Sequence, residues 1–312
     1  MNRVVNIGTR GSQLALWQAD YIRTRLLVNV PDIDFNIKTI QTTGDRDQKS
    51  SLTQIGGLGI FTKSIEDALL SGKIDIAVHS LKDLPSQETP DLVIAAVPER
   101  GPTADVLVSP TGAELSELPH RARVATGSIR RRSQLLALRP DLRMEDLRGN
   151  IHTRLQKLKT EHLDAIVMAH AAIDRLQLDS IRYALLPPDD MIPAVSQGAI
   201  GVQTRANDHE VIKWVHTIND EQTHRAVLAE RALLRRLDSG CQFPIGAHAH
   251  VDGKGHLALH AFVGDRTGTR ILKKQKQGNA SEAEQIGTAL ADELIAAGAL
   301  ELLKPFQHDT GE

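Results

Sequence analysis

Arginine, serine and asparagine recur at turns where a predicted strand passes into a predicted helix. These residues are Arg10 and Ser12, then Thr126, Ser128, Arg130 and Arg131, then Arg148, Asn150 and Arg154. Free N–H groups at a helix N-terminus favour anions, and arginines placed there oppose the helix dipole unless an anion is present. Guanidinium suits carboxylates and phosphates alike. The pattern predicts an anion-binding cleft, to which Arg175 adds a further candidate; ordinary helix caps with a solvated basic face are the alternative.

Lys82 and Asp83 follow a buried strand predicted over 74–78. Ligands of open α/β sheets bind at the carboxyl ends of strands, so this position suits an active-site carboxylate. An adjacent surface ion pair of little energetic weight is the alternative. The residues alone leave both interpretations open.

The single cysteine, Cys241, lies between Gly240 and Pro244. Gly240 can end the apolar helix predicted upstream, and Pro244 prevents the helix from resuming. One cysteine forms no intramolecular disulfide and is one ligand short of a thiolate metal pair, so no metal site is predicted. The thiol is either an inert buried group or a group held in place for chemistry.

The composition favours a cytosolic α/β enzyme or binding protein. The 312 residues are 41% hydrophobic and 24% charged, with a net charge of -2, which argues against nucleic-acid and membrane-surface proteins. Aromatic residues, at 3%, are too few for stacking on single-stranded nucleic acid. No stretch is apolar enough for a signal peptide or a membrane span.

The order of the elements predicts two α/β lobes with a cleft between them, followed by a small α+β domain. Breakers near 98–102 and the segment 193–202 indicate two crossings between the lobes. We therefore expect the first domain at 1–98 and 199–217, the second at 99–198 and the third at 218–312. The glycine-rich stretch 41–59 is expected to form a hinged lid over the cleft.

Seven motifs, found in order along nearly the whole chain, resemble those of the hydroxymethylbilane synthases, also called porphobilinogen deaminases. The motifs are IGTRGSQLALWQA, IGGLGIF, DIAVHSLKDLP, ATGSIRRRSQL, LRGNIHTRL, PAVSQGAIGV and AERALLRRLDSGCQFPIGA. The resemblance implies two lobes like those of periplasmic binding proteins and a third domain. It also implies a dipyrromethane cofactor joined to Cys241 by a thioether, so that the cysteine is a tether and not a nucleophile in each turnover.

The implied reaction adds four porphobilinogen molecules to that cofactor, each with loss of ammonia, and then releases a linear tetrapyrrole by hydrolysis. Asp83 matches the catalytic acid of the family. Residues matching cofactor ligands, besides Cys241, are Lys82, Thr126, Ser128, Arg130, Arg131, Arg148 and Asn150. Residues matching substrate ligands are Arg10, Ser12, Gln18, Arg148, Arg154, Arg175, Gln197 and Gly198. The expected protein is a cytoplasmic monomer that binds porphobilinogen, with no nucleic acid and no membrane as partner.

Several positions depart from the family pattern. Gln54 and Leu58 replace lysines of the lid, and Gly127 replaces a hydroxyl residue. His152 and His170 stand where non-ionisable residues are expected, and either add pH dependence or are ordinary surface histidines. A two-lobed carboxylate- or phosphate-binding protein without catalysis remains the alternative function.

Overall fold

The structure of the chain, a computed structural model, describes residues 4–42, 62–237 and 243–303. The first two thirds of the chain contain β1 (Val4–Thr9), α1 (Gln13–Asn29), β2 (Asp34–Thr39), α2 (Lys63–Leu70), β3 (Ile76–Ser80), β4 (Leu92–Ala96), β5 (Asp105–Val108), β6 (Arg123–Ala125), α3 (Ile129–Leu138), β7 (Arg143–Glu145), α4 (Ile151–Thr160), β8 (Ala165–Ala169), α5 (His170–Arg175), β9 (Tyr183–Leu186) and β10 (Ile200–Arg205). The last third contains α6 (His209–His216), α7 (Glu221–Arg236), β11 (Ile245–Val251), β12 (His256–Gly264), β13 (Ile271–Asn279), α8 (Ala283–Ala296) and α9 (Ala299–Leu302).

The two lobes have sheets of the same topology. In lobe 1 the strand order is β2-β1-β3-β10-β4, and in lobe 2 it is β7-β6-β8-β5-β9. The first three strands of each sheet are parallel, whereas β10 and β5 run antiparallel to their neighbours. Each antiparallel strand is the first one after the chain has crossed from the other lobe. The two crossings predicted from the sequence are therefore confirmed.

The crossing segments lie side by side between the lobes. The amide of Gly101 donates to the carbonyl of Gly198 at 3.1 Å. Gly198 has φ +83°, and a Cβ on it would lie 2.6 Å from the carbonyl oxygen of Gly101, so a side chain there would separate the two segments. This contact fixes the floor of the cleft.

The third domain packs two helices on one face of a three-stranded antiparallel sheet. The sheet order is β11-β12-β13, and its inner face joins α7 and α8 in one core that includes Leu233, Leu259 and Leu290. A Cβ on Gly287 of α8 would lie 2.2 Å from the carbonyl oxygen of Ala229 on α7, so glycine is what permits the close approach of these helices. The predicted α+β domain is thus present.

Several expected elements differ in position or fall outside the described residues. The strand predicted over 74–78 is β3, which begins at Ile76 and extends to Ser80. Helix α7 ends at Arg236, before Gly240. The lid from residue 43 onward, including Gln54 and Leu58, and the loop with Cys241 lie outside the described residues. The proposed domain boundaries stay predictions. Among the described helices, none is both long and apolar enough to cross a membrane.

Candidate active site

Asp83 lies on a short 3₁₀ turn, Leu81–Asp83, directly after β3. Its exposed carboxylate faces a pocket whose lining includes Arg10, Ser12, Gln18, His79 and Ser80. Gln18 is buried and exchanges hydrogen bonds with the Ser80 hydroxyl at 2.9 and 3.1 Å, which fixes α1 against the end of β3. Four predicted residues, Arg10, Ser12, Gln18 and Asp83, therefore meet in one pocket.

The neighbouring residue, Lys82, points toward the crossing between the lobes. Its Nζ donates to Oε1 of Gln197 at 3.3 Å. Burial lowers the pKa of Lys82 to about 8; the carboxylates of Asp83 and Asp105 oppose this shift and the arginines Arg131 and Arg130 add to it. Lys82 is thus half-buried, its ammonium group contacts Gln197, and its charge interacts with that of Asp83.

A buried arginine that the sequence analysis did not identify holds the segment after Asp83. Arg231, on α7, is 3% exposed and donates to the carbonyls of Leu84 at 3.3 Å and Pro85 at 2.6 Å. Because α7 leads to Cys241 in the sequence, this contact ties the helix before the cysteine to the turn that carries Asp83. Carbonyl acceptors have no sequence signature, so the pairing was not predictable from residue types.

Arg130 and Arg131 share one buried carboxylate, Asp105 at the start of β5. Arg130 donates to Oδ2 at 2.7 Å, Arg131 donates to Oδ1 at 2.7 and 3.1 Å, and Gln197 donates to Oδ1 at 2.9 Å. The remaining donors of the two arginines reach the carbonyls of Ile192 and Val167. Burial alone would raise the pKa of Asp105, but the two guanidinium charges and the hydrogen bonds outweigh it and hold that pKa well below its usual range.

The predicted polar residues at the three helix starts act as helix caps. Ser12 accepts from the amide of Ala15, Ser128 from that of Arg131, and Asn150 from that of Thr153. Thr126 is buried, and its hydroxyl accepts from the amide of Ser128 at 3.2 Å. The capping interpretation holds for these side chains in the structure, although a cap also presents free helix N–H groups to an anion.

Arg148 and Arg154 flank the third turn, in lobe 2. Arg148 is exposed, whereas Arg154 is partly buried and donates from Nε to the carbonyl of Gly149 at 2.8 Å. Burial and the charge of Arg131 lower the pKa of Arg154, and the carboxylate of Asp83 opposes them. Arg154 of lobe 2 therefore lies close enough to Asp83 of lobe 1 for their charges to interact.

Gln197, Gly198 and Arg175 make their described contacts within the crossing. Gln197 is fully buried, and besides Asp105 its amide reaches the carbonyl of Thr103 at 2.8 Å. Arg175 is 7% exposed; it donates to the carbonyl of Gly198 at 2.6 Å and stands 5.7 Å from the ring centre of Trp17. The structure thus places these three residues where they hold the lobes relative to each other.

The two unexpected histidines both have partners. His152 of α4 pairs with Gln13 of α1 at 2.7 Å, a contact between the lobes, and His170 pairs with the hydroxyl of Tyr183 at 3.2 Å. Gly127 is sterically required: a Cβ there would lie 2.5 Å from the carbonyl oxygen of Leu147. A residue with a side-chain hydroxyl would not fit at position 127, because the backbone of Leu147 lies too close.

Taken together, cations outnumber carboxylates around the cleft. In the part of the chain that the structure describes, the charges of Lys82, Arg130, Arg131 and Arg154 are opposed by the carboxylates of Asp83 and Asp105. A low local dielectric strengthens such interactions several-fold relative to water. The arrangement can bind a ligand with several carboxylates and can hold one carboxylate, that of Asp83, next to a developing positive charge.

Comparison with known proteins identifies similar chains over nearly the full length. Residues 5–213 match the family model described as porphobilinogen deaminase, dipyromethane cofactor binding domain, and residues 224–296 match the porphobilinogen deaminase C-terminal domain. The chain is 45% identical to the porphobilinogen deaminase of Chlorobaculum parvum over 307 residues, which covers 97% of this chain and 98% of the relative.

A second bacterial relative is similar over the same length. The porphobilinogen deaminase of Pelotomaculum thermopropionicum is 46% identical over 304 residues, covering 97% of each chain. Among solved structures, a probable amino-acid ABC transporter extracellular-binding protein from Bacillus subtilis is 12% identical with a TM-score of 0.43, covering 75% of this chain and 97% of that one.

Proposed function

We propose, because the chain belongs to the porphobilinogen deaminase family, that it is a transferase condensing four porphobilinogen molecules in steps onto a bound dipyrromethane and releasing hydroxymethylbilane by hydrolysis. The observation that carries the proposal is the position of Asp83. Its exposed carboxylate lies at the carboxyl end of β3, in a pocket lined also by Arg10, Ser12 and Gln18.

The chain's own residues fit a dipyrromethane with its several carboxylates. Cationic and hydrogen-bonding groups converge on the cleft, and Arg130 and Arg131 are already oriented by Asp105. The residues proposed to hold the cofactor are Cys241, as covalent tether, with Lys82, Thr126, Ser128, Arg130, Arg131, Arg148 and Asn150. When bound, the dipyrromethane supplies the pyrrole carbon to which the first substrate is joined.

The substrate carboxylates would be held by residues of both lobes. Arg10, Ser12 and Gln18 approach from lobe 1, and Arg148 and Arg154 approach from lobe 2. Arg175, Gln197 and Gly198, whose polar groups bind within the crossing, would act on the substrate by fixing the distance between the lobes. A change in that distance would displace the reacting carbons relative to each other, and the rate of condensation depends on their separation.

In each condensation Asp83 would stabilise positive charge. The C–N bond of the aminomethyl group breaks and its electron pair leaves with ammonia, so the substrate carbon becomes cationic. The α-carbon of the acceptor pyrrole forms the new C–C bond, and that carbon then loses its proton. A carboxylate within reach stabilises the cation electrostatically and can accept the proton. Lys82, which is cationic below about pH 8, would pair electrostatically with a carboxylate of the substrate or cofactor.

The test compares the wild type with Asp83→Asn, purified from cells that make porphobilinogen. Both should carry the same cofactor by intact mass, because Asp83 is proposed to act on the reaction and not on the tether. Turnover of porphobilinogen to a linear tetrapyrrole should fall by orders of magnitude in Asp83→Asn. Asp67→Asn, a carboxylate on α2, serves as the matched control. Near-normal turnover in Asp83→Asn would remove this residue from the mechanism.

We also propose that the protein works as a cytoplasmic monomer.

The second candidate function is a binding protein that captures a carboxylate or phosphate between two lobes, and it is favoured by the number of arginines. That protein would bind porphobilinogen without consuming it. Release of ammonia in a stoichiometry of four per tetrapyrrole distinguishes the two functions.

A further inference from the structure

His79 is a buried titratable residue of the pocket for which the proposed reaction has no role. It is the penultimate residue of β3, is 5% exposed and belongs to the lining of the same pocket as Asp83. A buried polar ring is costly unless its nitrogens have partners. The contacts of each nitrogen therefore define what the ring can do.

A chain of hydrogen bonds fixes one nitrogen of this ring. Nε2 of His79 lies 3.2 Å from Oε1 of Gln203 on β10. The amide nitrogen of Gln203 donates to Oε1 of Glu66 at 3.0 Å, and the hydroxyl of Thr89 donates to the same oxygen at 3.0 Å. The chain thus links His79 on β3 to Gln203 on β10 and to Glu66 on α2.

The carboxylate at the end of the chain sets the polarity of every link. Oε1 of Glu66 accepts from both Thr89 and Gln203, so the NH2 group of Gln203 points to Glu66 and its carbonyl oxygen points to His79. That oxygen also only accepts, so Nε2 of His79 must carry a proton.

The second nitrogen then carries a lone pair. Burial lowers the pKa of His79 to about 4, against the hydrogen bond that Nε2 donates to Gln203 and the charge of Asp83, while Arg231 lowers it further. The ring is therefore neutral at physiological pH, and Nδ1 is unprotonated. Nδ1 makes no hydrogen bond with the described residues, and His79 is one of the residues that line the pocket.

We propose that His79 positions the substrate: its Nδ1 accepts a hydrogen bond from the pyrrole N–H of a porphobilinogen bound beside Asp83. Glu66 and Gln203 are positioning residues that hold His79 in the required tautomer. A neutral acceptor orients the ring without adding charge next to the carboxylate that stabilises the cation. The inference rests on the proposed function, since it requires a pyrrole in this pocket.

The test is ¹⁵N NMR of the holoenzyme labelled at histidine, with the His79 resonances assigned by their loss in His79→Gln among the 13 histidines. At pH 7 we expect a protonated Nε2 and an unprotonated Nδ1. The probe is a pyrrole that bears acetate and propionate but no aminomethyl group, so it has no leaving group. Its binding should shift the Nδ1 resonance toward the protonated range and leave Nε2 unchanged.

His224 provides an internal control of opposite tautomer. Its Nδ1 lies 2.9 Å from Oδ1 of Asn219, an atom that also accepts from the amide of Val97 and is therefore an oxygen. Nδ1 of His224 must then carry the proton. Its resonances should be assigned to the Nδ1–H form, should not move with the probe, and His224→Gln should leave turnover unchanged.

Glu66→Gln tests the chain without removing the imidazole. The new amide can donate as well as accept, so Gln203 can turn over and His79 should become a mixture of tautomers. We expect kcat/KM to fall about 2- to 10-fold, the effect of one hydrogen bond, with the cofactor mass unchanged. Kinetics at wild-type level with a mixed tautomer would contradict the proposal.

Two further results would overturn the inference. These are an Nδ1-protonated His79 in the wild type at pH 7, or an Nδ1 resonance that the bound probe does not move. Both measurements use the wild type, so they stand even if a variant fails to fold. Turnover of porphobilinogen is assayed on the same sample: its absence would refute the proposed function, whereas turnover with an unmoved Nδ1 would refute only the role of His79.

Discussion

Replacing Asp105 with asparagine should destabilise lobe 2 more than any surface charge replacement. The carboxylate is fully buried and neutralises part of the charge of two guanidinium groups, which are 5% and 6% exposed in Arg130 and Arg131. In Asp105→Asn the amide oxygen can still accept, but both buried positive charges lose their counter-charge. Removing one partner of a buried pair costs about 3–5 kcal/mol.

That cost should be visible in thermal unfolding. For a folding unit of about 150–250 residues, 1 kcal/mol shifts Tm by about 2–4 °C. The Tm of Asp105→Asn should therefore be about 6–20 °C lower than that of the wild type. Circular dichroism of cofactor-free protein, followed against temperature, measures it. The control is Asp141→Asn, because Asp141 accepts from Arg139 at 2.7 and 2.9 Å yet is 21% exposed. Because this ion pair is partly exposed, water can solvate the guanidinium of Arg139 in the variant, so we expect a smaller decrease in Tm.

The effect of Asp105 should also depend on pH. Since the folded-state pKa of Asp105 is depressed, its stabilising contribution is complete above the unfolded pKa of about 3.9 and is lost as pH falls through the lower folded-state value. The difference between wild type and Asp105→Asn should therefore be constant from pH 6 to 8 and shrink below pH 4. A decrease in Tm no larger than that of Asp141→Asn would refute the assignment of Asp105 as the buried counter-ion.

Three other predictions follow from single positions. Gly127→Ala should cost about 1–3 kcal/mol in urea unfolding, because its Cβ would lie 2.5 Å from the Leu147 carbonyl oxygen; an unchanged midpoint would contradict this. Ser196→Gly should stabilise by about 1 kcal/mol, since Ser196 has φ +61° and its buried hydroxyl has no partner among the described residues; a lower midpoint would argue against it. As the pH rises through about 8, Lys82 loses its charge and kcat/KM of the wild type should decline. The Lys82→Met variant should not show this decline; the same pH profile in both proteins would exclude Lys82 as the titrating group.

The sequence predicted the elements that carry local signals. Ser12 and Asn150 cap helices as their types suggested, and the apolar run predicted as a strand over 74–78 forms β3 with a small shift. The edge strands β4 and β9 were not predicted. Strand β9 has a mostly half-buried pattern, so its local sequence gives little indication of a strand.

The long-range partners of the site were beyond prediction from residue types. The arginines at the start of α3 indicated an anion, and the sequence analysis assigned that anion to a ligand alone. In the structure Asp105 of the same chain already pairs with them, 25 and 26 residues away. Arg231 and the carbonyl of Pro85 to which it donates are 146 residues apart in the sequence. Such pairs depend on how the lobes and the third domain pack, which local pattern does not encode.

The most direct test of the whole account is the intact mass of the protein from cells that make porphobilinogen. The wild type should exceed its sequence mass by one dipyrromethane, and Cys241→Ser should have the sequence mass. Brief exposure of the wild type to porphobilinogen should then add mass in steps of one deaminated pyrrole, because the chain grows while tethered. A wild type at the bare sequence mass, or one that gains no steps, would contradict the account.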